Sequence, residues 1–200
     1  MMHRGAIAAD GKSGDGSGLL FSLPTEFMKK EARKLNVDLP KQFAVAMVFM
    51  KDEREKEIFT EICEKNDLKV ILFRDVPIDT KALGEQALAL LPNIVQIFVT
   101  PSSLIATKRF EALLYLSRKE IEKALVTHED FYIASFSSKV ISYKGLVMPV
   151  YIKAFFLDLN DESFKTKFAL FHQRFSTNTL PQWKLAQPFR MIAHNGEINS

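Results

Sequence analysis

Residues 171–199 read FHQRFSTNTLPQWKLAQPFRMIAHNGEIN. The apolar segments "KFALFHQRFS" and "FRMIAHNGEI" each turn polar directly after a histidine, His172 and His194. A strand that continues as "HQRFSTNT" where a core strand stays apolar breaks its own pattern, and such breaks mark functional positions. Arg174 presents a guanidinium that can take a carboxylate through two parallel hydrogen bonds. It can equally be a structural partner for an Asp or Glu. Asn195-Gly196 is a strong hairpin-turn signal. An Asn amide beside a Gly N–H, unobstructed by a Cβ, also makes a two-donor oxyanion hole. The residues alone leave both pairs of readings open.

Upstream, "FYIASFSS", "VISYKGLV" and "VYIKAFFLDL" are expected to be strands in succession, with short turns, so the half after His128 reads as antiparallel sheet. Earlier the pattern differs. "FAVAMVFM" (43–50), "LKVILF" (68–73) and "NIVQIFVT" (93–100) are buried strands that alternate with helices. One helix opens at Asp52 with an Ile58, Phe59, Ile62 stripe, and "TKALGEQALALLP" is expected to form another. "FEALLYLSRKEIEKAL" repeats apolar residues at Phe110, Leu113, Leu114, Ile121 and Leu125, an amphipathic helix. The expectation is one domain over residues 1–200, with an α/β subdomain inserted at 43–128. Near the start, "LLFSLP" reads as a short strand, and Thr25 to Lys34 as a helix with Phe27, Ala32 and Leu35 inward.

Composition narrows the function. A net charge of +3, without a Lys/Arg cluster, gives no reason to expect a nucleic-acid partner. No run of about 18 apolar residues exists to span a membrane. "MMHRGAIAAD" lacks the layout of a secretion signal. One cysteine excludes an internal disulfide and fits a reducing cytoplasm. Cys63 follows Ile62 on the apolar side of its helix and reads as a buried small hydrophobe, not a nucleophile. The loop "DGKSGDGSG" (10–18) matches neither a Walker pattern nor an EF-hand and reads as a structural turn. His3, His128, His172 and His194 show no metal-ligand spacing, so no metal is expected.

Taken together, "FHQRFSTNTLPQWKLAQPFRMIAHNGEIN" and the early "HRGAIAADGKSGDGSG" resemble the glutaminase domain of glutamate synthase large subunits. The segments between are similar in order and spacing, so the resemblance covers essentially the whole chain. It implies a class II glutamine amidotransferase with the N-terminal-nucleophile (Ntn) hydrolase fold. That fold is α+β, an αββα sandwich of antiparallel sheets, here incomplete at both ends and carrying the inserted α/β subdomain. It also implies the reaction, in which a cysteine thiolate attacks the side-chain amide of glutamine, releasing ammonia and then glutamate. In the parent enzyme the ammonia aminates 2-oxoglutarate at a distant site that uses FMN, an iron–sulfur cluster and a reduced electron donor; no cofactor is implied for this chain. Its implied partners are L-glutamine, the remainder of the large subunit and a small subunit.

The resemblance assigns roles to particular residues. Arg174 would clamp the α-carboxylate of glutamine, with Thr177 and Asn178 at its polar end. Asn195 and Gly196 would form the oxyanion hole, and Arg4 would stand behind the nucleophile. The chain departs from the family in beginning "MMHRGA", whereas the family's Cys-Gly start would lie some tens of residues before "HRG". The carboxylate for the glutamine amine would follow Ser200. The chain by itself is therefore expected to be inactive, with exposed sheet edges that favour dimerisation or marginal stability. The alternative is a nucleophile-free glutamine-binding sensor or interaction module.

Overall fold

The computed structural model describes residues 16–173 and 182–190, and in them apolar runs become strands and amphipathic charged runs become helices. In chain order the first half holds β1 (Ser17–Ser22), α1 (Thr25–Lys34), β2 (Ala44–Met50), α2 (Glu53–Lys65), β3 (Leu68–Asp75) and α3 (Glu85–Ala89). The second half holds β4 (Asn93–Pro101), α4 (Thr107–Ala124), β5 (Tyr132–Ser137), β6 (Val140–Gly145), α5 (Ile152–Phe155) and β7 (Ala169–His172). Among the described residues, no helix is long and apolar enough to cross a membrane.

Ser22–Val76 and Pro92–Ile141 form one compact unit. Its sheet has the order β3-β4-β2-β5, and each neighbouring pair is antiparallel. Strands β2 and β3 both flank β4, so α2 carries the chain past one strand position. All seven residues of β2 are buried. Alternate ones, Ala44, Ala46, Val48 and Met50, share a core with Phe59 and Cys63 of α2 and with Phe110, Leu114 and Ile121 of α4. Full burial of a side chain such as Phe59 contributes about 2–3 kcal/mol. Asp52 caps α2 reciprocally with Glu55, through Glu55 N to Asp52 Oδ1 at 3.0 Å and Asp52 N to Glu55 Oε2 at 3.4 Å. In the same unit a buried polar group joins three elements. Arg74 of β3 donates to Glu31 of α1 at 2.8 Å and to Gln96 of β4 at 2.8 Å. Burial alone would raise Glu31, but hydrogen bonds from Lys34 and Arg74 outweigh it and hold the carboxyl below its usual range.

The other unit takes its described residues from Met1–Phe21, Pro77–Leu91 and Ser142–Ser200. Its sheet has the order β6-β1-β7, with Gly18 to Phe21 of β1 running antiparallel to His172 to Ala169 of β7. Tyr143 of β6 is fully buried, meets the Phe156 ring edge-on at 5.1 Å and donates to Asp158 at 2.8 Å. On β7, Phe171 is 59% exposed.

Three local expectations are corrected. Residues 150–159, expected as a strand, form a 3₁₀ turn at Pro149–Tyr151, α5 and a second 3₁₀ turn at Leu157–Asn160. A short apolar run does not separate strand from buried helical turns, and Pro149 starts the first turn with a preset φ. The helix expected over 80–92 is two pieces, Thr80–Ala82 and α3, because Gly84 between them is extended and serves as the N-cap of α3. Leu35, expected to face inward, caps α1 and is exposed, whereas Met28 and Glu31 are buried.

Candidate functional site

The residues flanking the signature stretches meet at one end of the β6-β1-β7 sheet. β1 starts where the Gly-rich loop ends, β7 stops two residues before Arg174, and Gly18 pairs with His172. Residues 182–190, which join the Arg174 stretch to the Asn195 stretch, lie as a strap against β1 and β6. Their approach requires glycine. A Cβ on Gly18 would stand 2.5 Å from the Gln187 carbonyl oxygen and 2.5 Å from Lys144 Cβ. Gly16, at φ +104°, has Ala186 Cβ 3.1 Å from where its own Cβ would be, and the Trp183 ring covers Gly145.

Side chains fix the strap from two directions. Trp183 is buried, donates through Nε1 to the Ala87 carbonyl at 3.2 Å and lies 5.8 Å from the Phe155 ring. Lys144, 1% exposed, donates from Nζ to the Lys184 carbonyl at 2.9 Å and sits 5.0 Å from the centroid of Phe189. Burial, and secondarily the charge of Arg190, pull its amine down to about 7. Ser17, beside them on β1, donates to the Val147 carbonyl at 2.7 Å.

Arg4, Arg174, Thr177, Asn178, Asn195 and Gly196, the six residues assigned roles by resemblance, lie outside the described residues. Cys63 is fully buried in the core of the other unit, and burial, with Glu64 beside it, pushes its thiol up to about 12. A thiol so protonated is a packing residue, as its place on the apolar face of α2 leads one to expect. His128 is brought within reach of Asp52 and Glu55, their ligand-type atoms all within 4.8 Å of one another. Hydrogen bonding accounts for that arrangement. Glu55 pairs with His128 Nδ1 at 3.0 Å through one oxygen and accepts from the Lys51 N–H at 2.6 Å on the other, as part of the helix cap. Lys144 and Trp183 did not stand out in the sequence. The available signal for Lys144 was a lysine inside an otherwise uncharged strand, followed at once by glycine.

Residues 1–200 match the family described as glutamine amidotransferases, class II. The chain belongs to that family. It is 42% identical over 208 residues to the glutamate synthase [NADPH] large chain of Azospirillum brasilense, covering 99% of this chain and 14% of that protein. Against the glutamate synthase [NADH] of Schizosaccharomyces pombe the identity is 40%, covering 100% of this chain and 10% of the relative. Ferredoxin-dependent glutamate synthase 2 of Synechocystis is 40% identical, with 100% and 13% covered. The chain thus spans a small part of the length of these relatives. As an amidotransferase domain of mixed α+β structure with antiparallel sheets, it has the architecture expected from its sequence.

Proposed function

We propose that this chain supplies the glutamine-binding and oxyanion-stabilising part of a glutaminase within a glutamate synthase. The observation that carries this is the meeting of Gly16–Gly18, His172 and the 182–190 strap at one sheet end, within a chain that matches the family throughout. Arg174, next in the chain to Gln173, binds the α-carboxylate of glutamine, with Thr177 and Asn178 beside its polar end. Thiolate addition to the amide carbon creates an oxyanion, which the Asn195 side-chain amide and the Gly196 N–H stabilise. Collapse releases ammonia and leaves a thioester, which water hydrolyses to glutamate. Arg4 stands behind the thiolate. The fold is the Ntn-hydrolase sandwich with residues 43–128 as its inserted subdomain, and the protein works in the cytoplasm.

Ammonia then passes to the amination of 2-oxoglutarate in the rest of the large subunit, which works with a small subunit, FMN and an iron–sulfur cluster. Such clusters are held by several thiolates, and the single Cys63 of this chain does not fit one. The relatives are named for NADPH, NADH and ferredoxin, yet match this stretch almost equally. Selection of the electron donor therefore belongs to other parts of the protein.

The test is ammonia release from glutamine by the complete product of the gene. Asn195→Ala lowers kcat about 10²- to 10³-fold, as loss of one oxyanion donor does elsewhere. Unchanged kcat in that variant would refute the assignment. Residues 1–200 alone, whose one thiol is the buried Cys63, release no ammonia from glutamine.

A further inference from the structure

Lys144 breaks the composition of its strand. The five other residues of β6 carry no charge, and the lysine is as buried as the core around it. Its amine reaches the Lys184 carbonyl at 2.9 Å and lies 5.0 Å from the centroid of the Phe189 ring. Those two contacts fall near the two ends of the strap, and Phe189 is followed in the chain by Arg190 and Met191 on the way to Asn195. The neighbouring Gly18 leaves no room for a side chain between β1, Lys144 and Gln187. Trp183, stacked on Gly145, holds the start of the same strap. Of the strap's titratable residues, Arg190 acts on the Lys144 amine through its charge, and β1 carries no titratable side chain.

We propose that Lys144 is a positioning residue for the glutaminase site, acting by pinning the backbone of the 182–190 strap and so placing the residues that follow it. This inference rests on the function proposed above. The strap runs directly into the stretch that contains Asn195 and Gly196, so a loosened strap misplaces oxyanion donors more than it weakens glutamine binding. Such donors act by preorganisation, and displacement of about 1 Å can cost about 10²-fold in rate.

The experiment compares the complete gene product with its Lys144→Met variant, which keeps an apolar stem and removes the donor. Amide hydrogen exchange across residues 183–190 is measured beside the glutaminase parameters. The expected result is exchange about fivefold to tenfold faster in the strap, as follows from losing one hydrogen bond, with β2 and β4 exchanging no faster than in the wild type. On the activity side, kcat per folded enzyme falls about tenfold or more while KM stays within about twofold; the folded fraction is measured in the same samples, because loss of folded protein alone would also lower apparent kcat at constant KM. Wild-type strap exchange in the variant, or an unchanged kcat, overturns the role of Lys144. A wild-type protein that releases no ammonia from glutamine overturns the proposed function instead, and the exchange measurement then still decides whether Lys144 holds the strap.

Discussion

Replacing Lys144 by Met has a second consequence, on stability, whose size follows from the structure. An amine lowered from 10.5 to about 7 corresponds, at about 1.4 kcal/mol per pH unit, to an ammonium about 5 kcal/mol worse placed in the fold than in water. The folded chain holds this proton more weakly than the unfolded chain. Stability therefore rises with pH: the cost is complete below about 7, shrinks between there and 10.5, and is gone above. From about pH 6 to about pH 9 the wild type should gain about 3 kcal/mol from this group, and the Met variant should not. Denaturant unfolding of both proteins at the two pH values reads the effect, because contributions of other titrating groups cancel in the comparison. If the two proteins respond to pH within about 1 kcal/mol of each other, the amine is adequately hydrated in the fold and the buried-lysine reasoning fails. The variant should be globally more stable near neutral pH while its strap opens faster. Those opposite signs separate a stability role from a positioning role.

Gly18→Ala should cost about 2–3 kcal/mol, because its Cβ would meet the Gln187 carbonyl and the Lys144 stem, neither of which can move without shifting backbone. An unchanged thermal midpoint would mean the strap does not lie on β1. Cys63 should resist alkylation by iodoacetamide near neutral pH until the chain is unfolded, since the thiol is buried and raised to about 12. Rapid labelling of the native protein would contradict that placement.

Much of the first unit was legible because its elements obey simple rules. The uninterrupted apolar run at 43–50 is a strand buried along its whole length, and the spacing of Phe110, Leu114 and Ile121 forms one face of α4. Cys63 could be placed in the core from Phe59 four residues before it. Pairing direction was not legible. Strands alternating with helices read as covered strands, and which neighbour each strand takes is decided by tertiary packing around β4. The errors have the same origin. Residues 150–159 carry an apolar run too short to show a period, and Gly84 ends a helical pattern that apolar spacing alone continues. For the site, the broken strand patterns after His172 and His194 are visible in the sequence, but the residues expected to act there lie outside those described. The strap contacts were not legible, since a lysine's acceptor 40 positions away leaves no periodic trace.

Where local rules fail is itself informative. In the unit built on β3-β4-β2-β5, the buried polar group of Glu31, Arg74 and Gln96 is closed by its own hydrogen bonds, each charge facing an opposite charge or an amide. In the other unit, an amine is buried beside the like charge of Arg190, and glycines stand at 16, 18 and 145 where the strap touches the sheet. Packing alone would favour Met or Leu at 144 by several kcal/mol, since an apolar side chain of similar volume carries no desolvation cost. A costly lysine at the point where the strap crosses the sheet is therefore better explained by what the strap must hold in place than by the stability of the sheet beneath it.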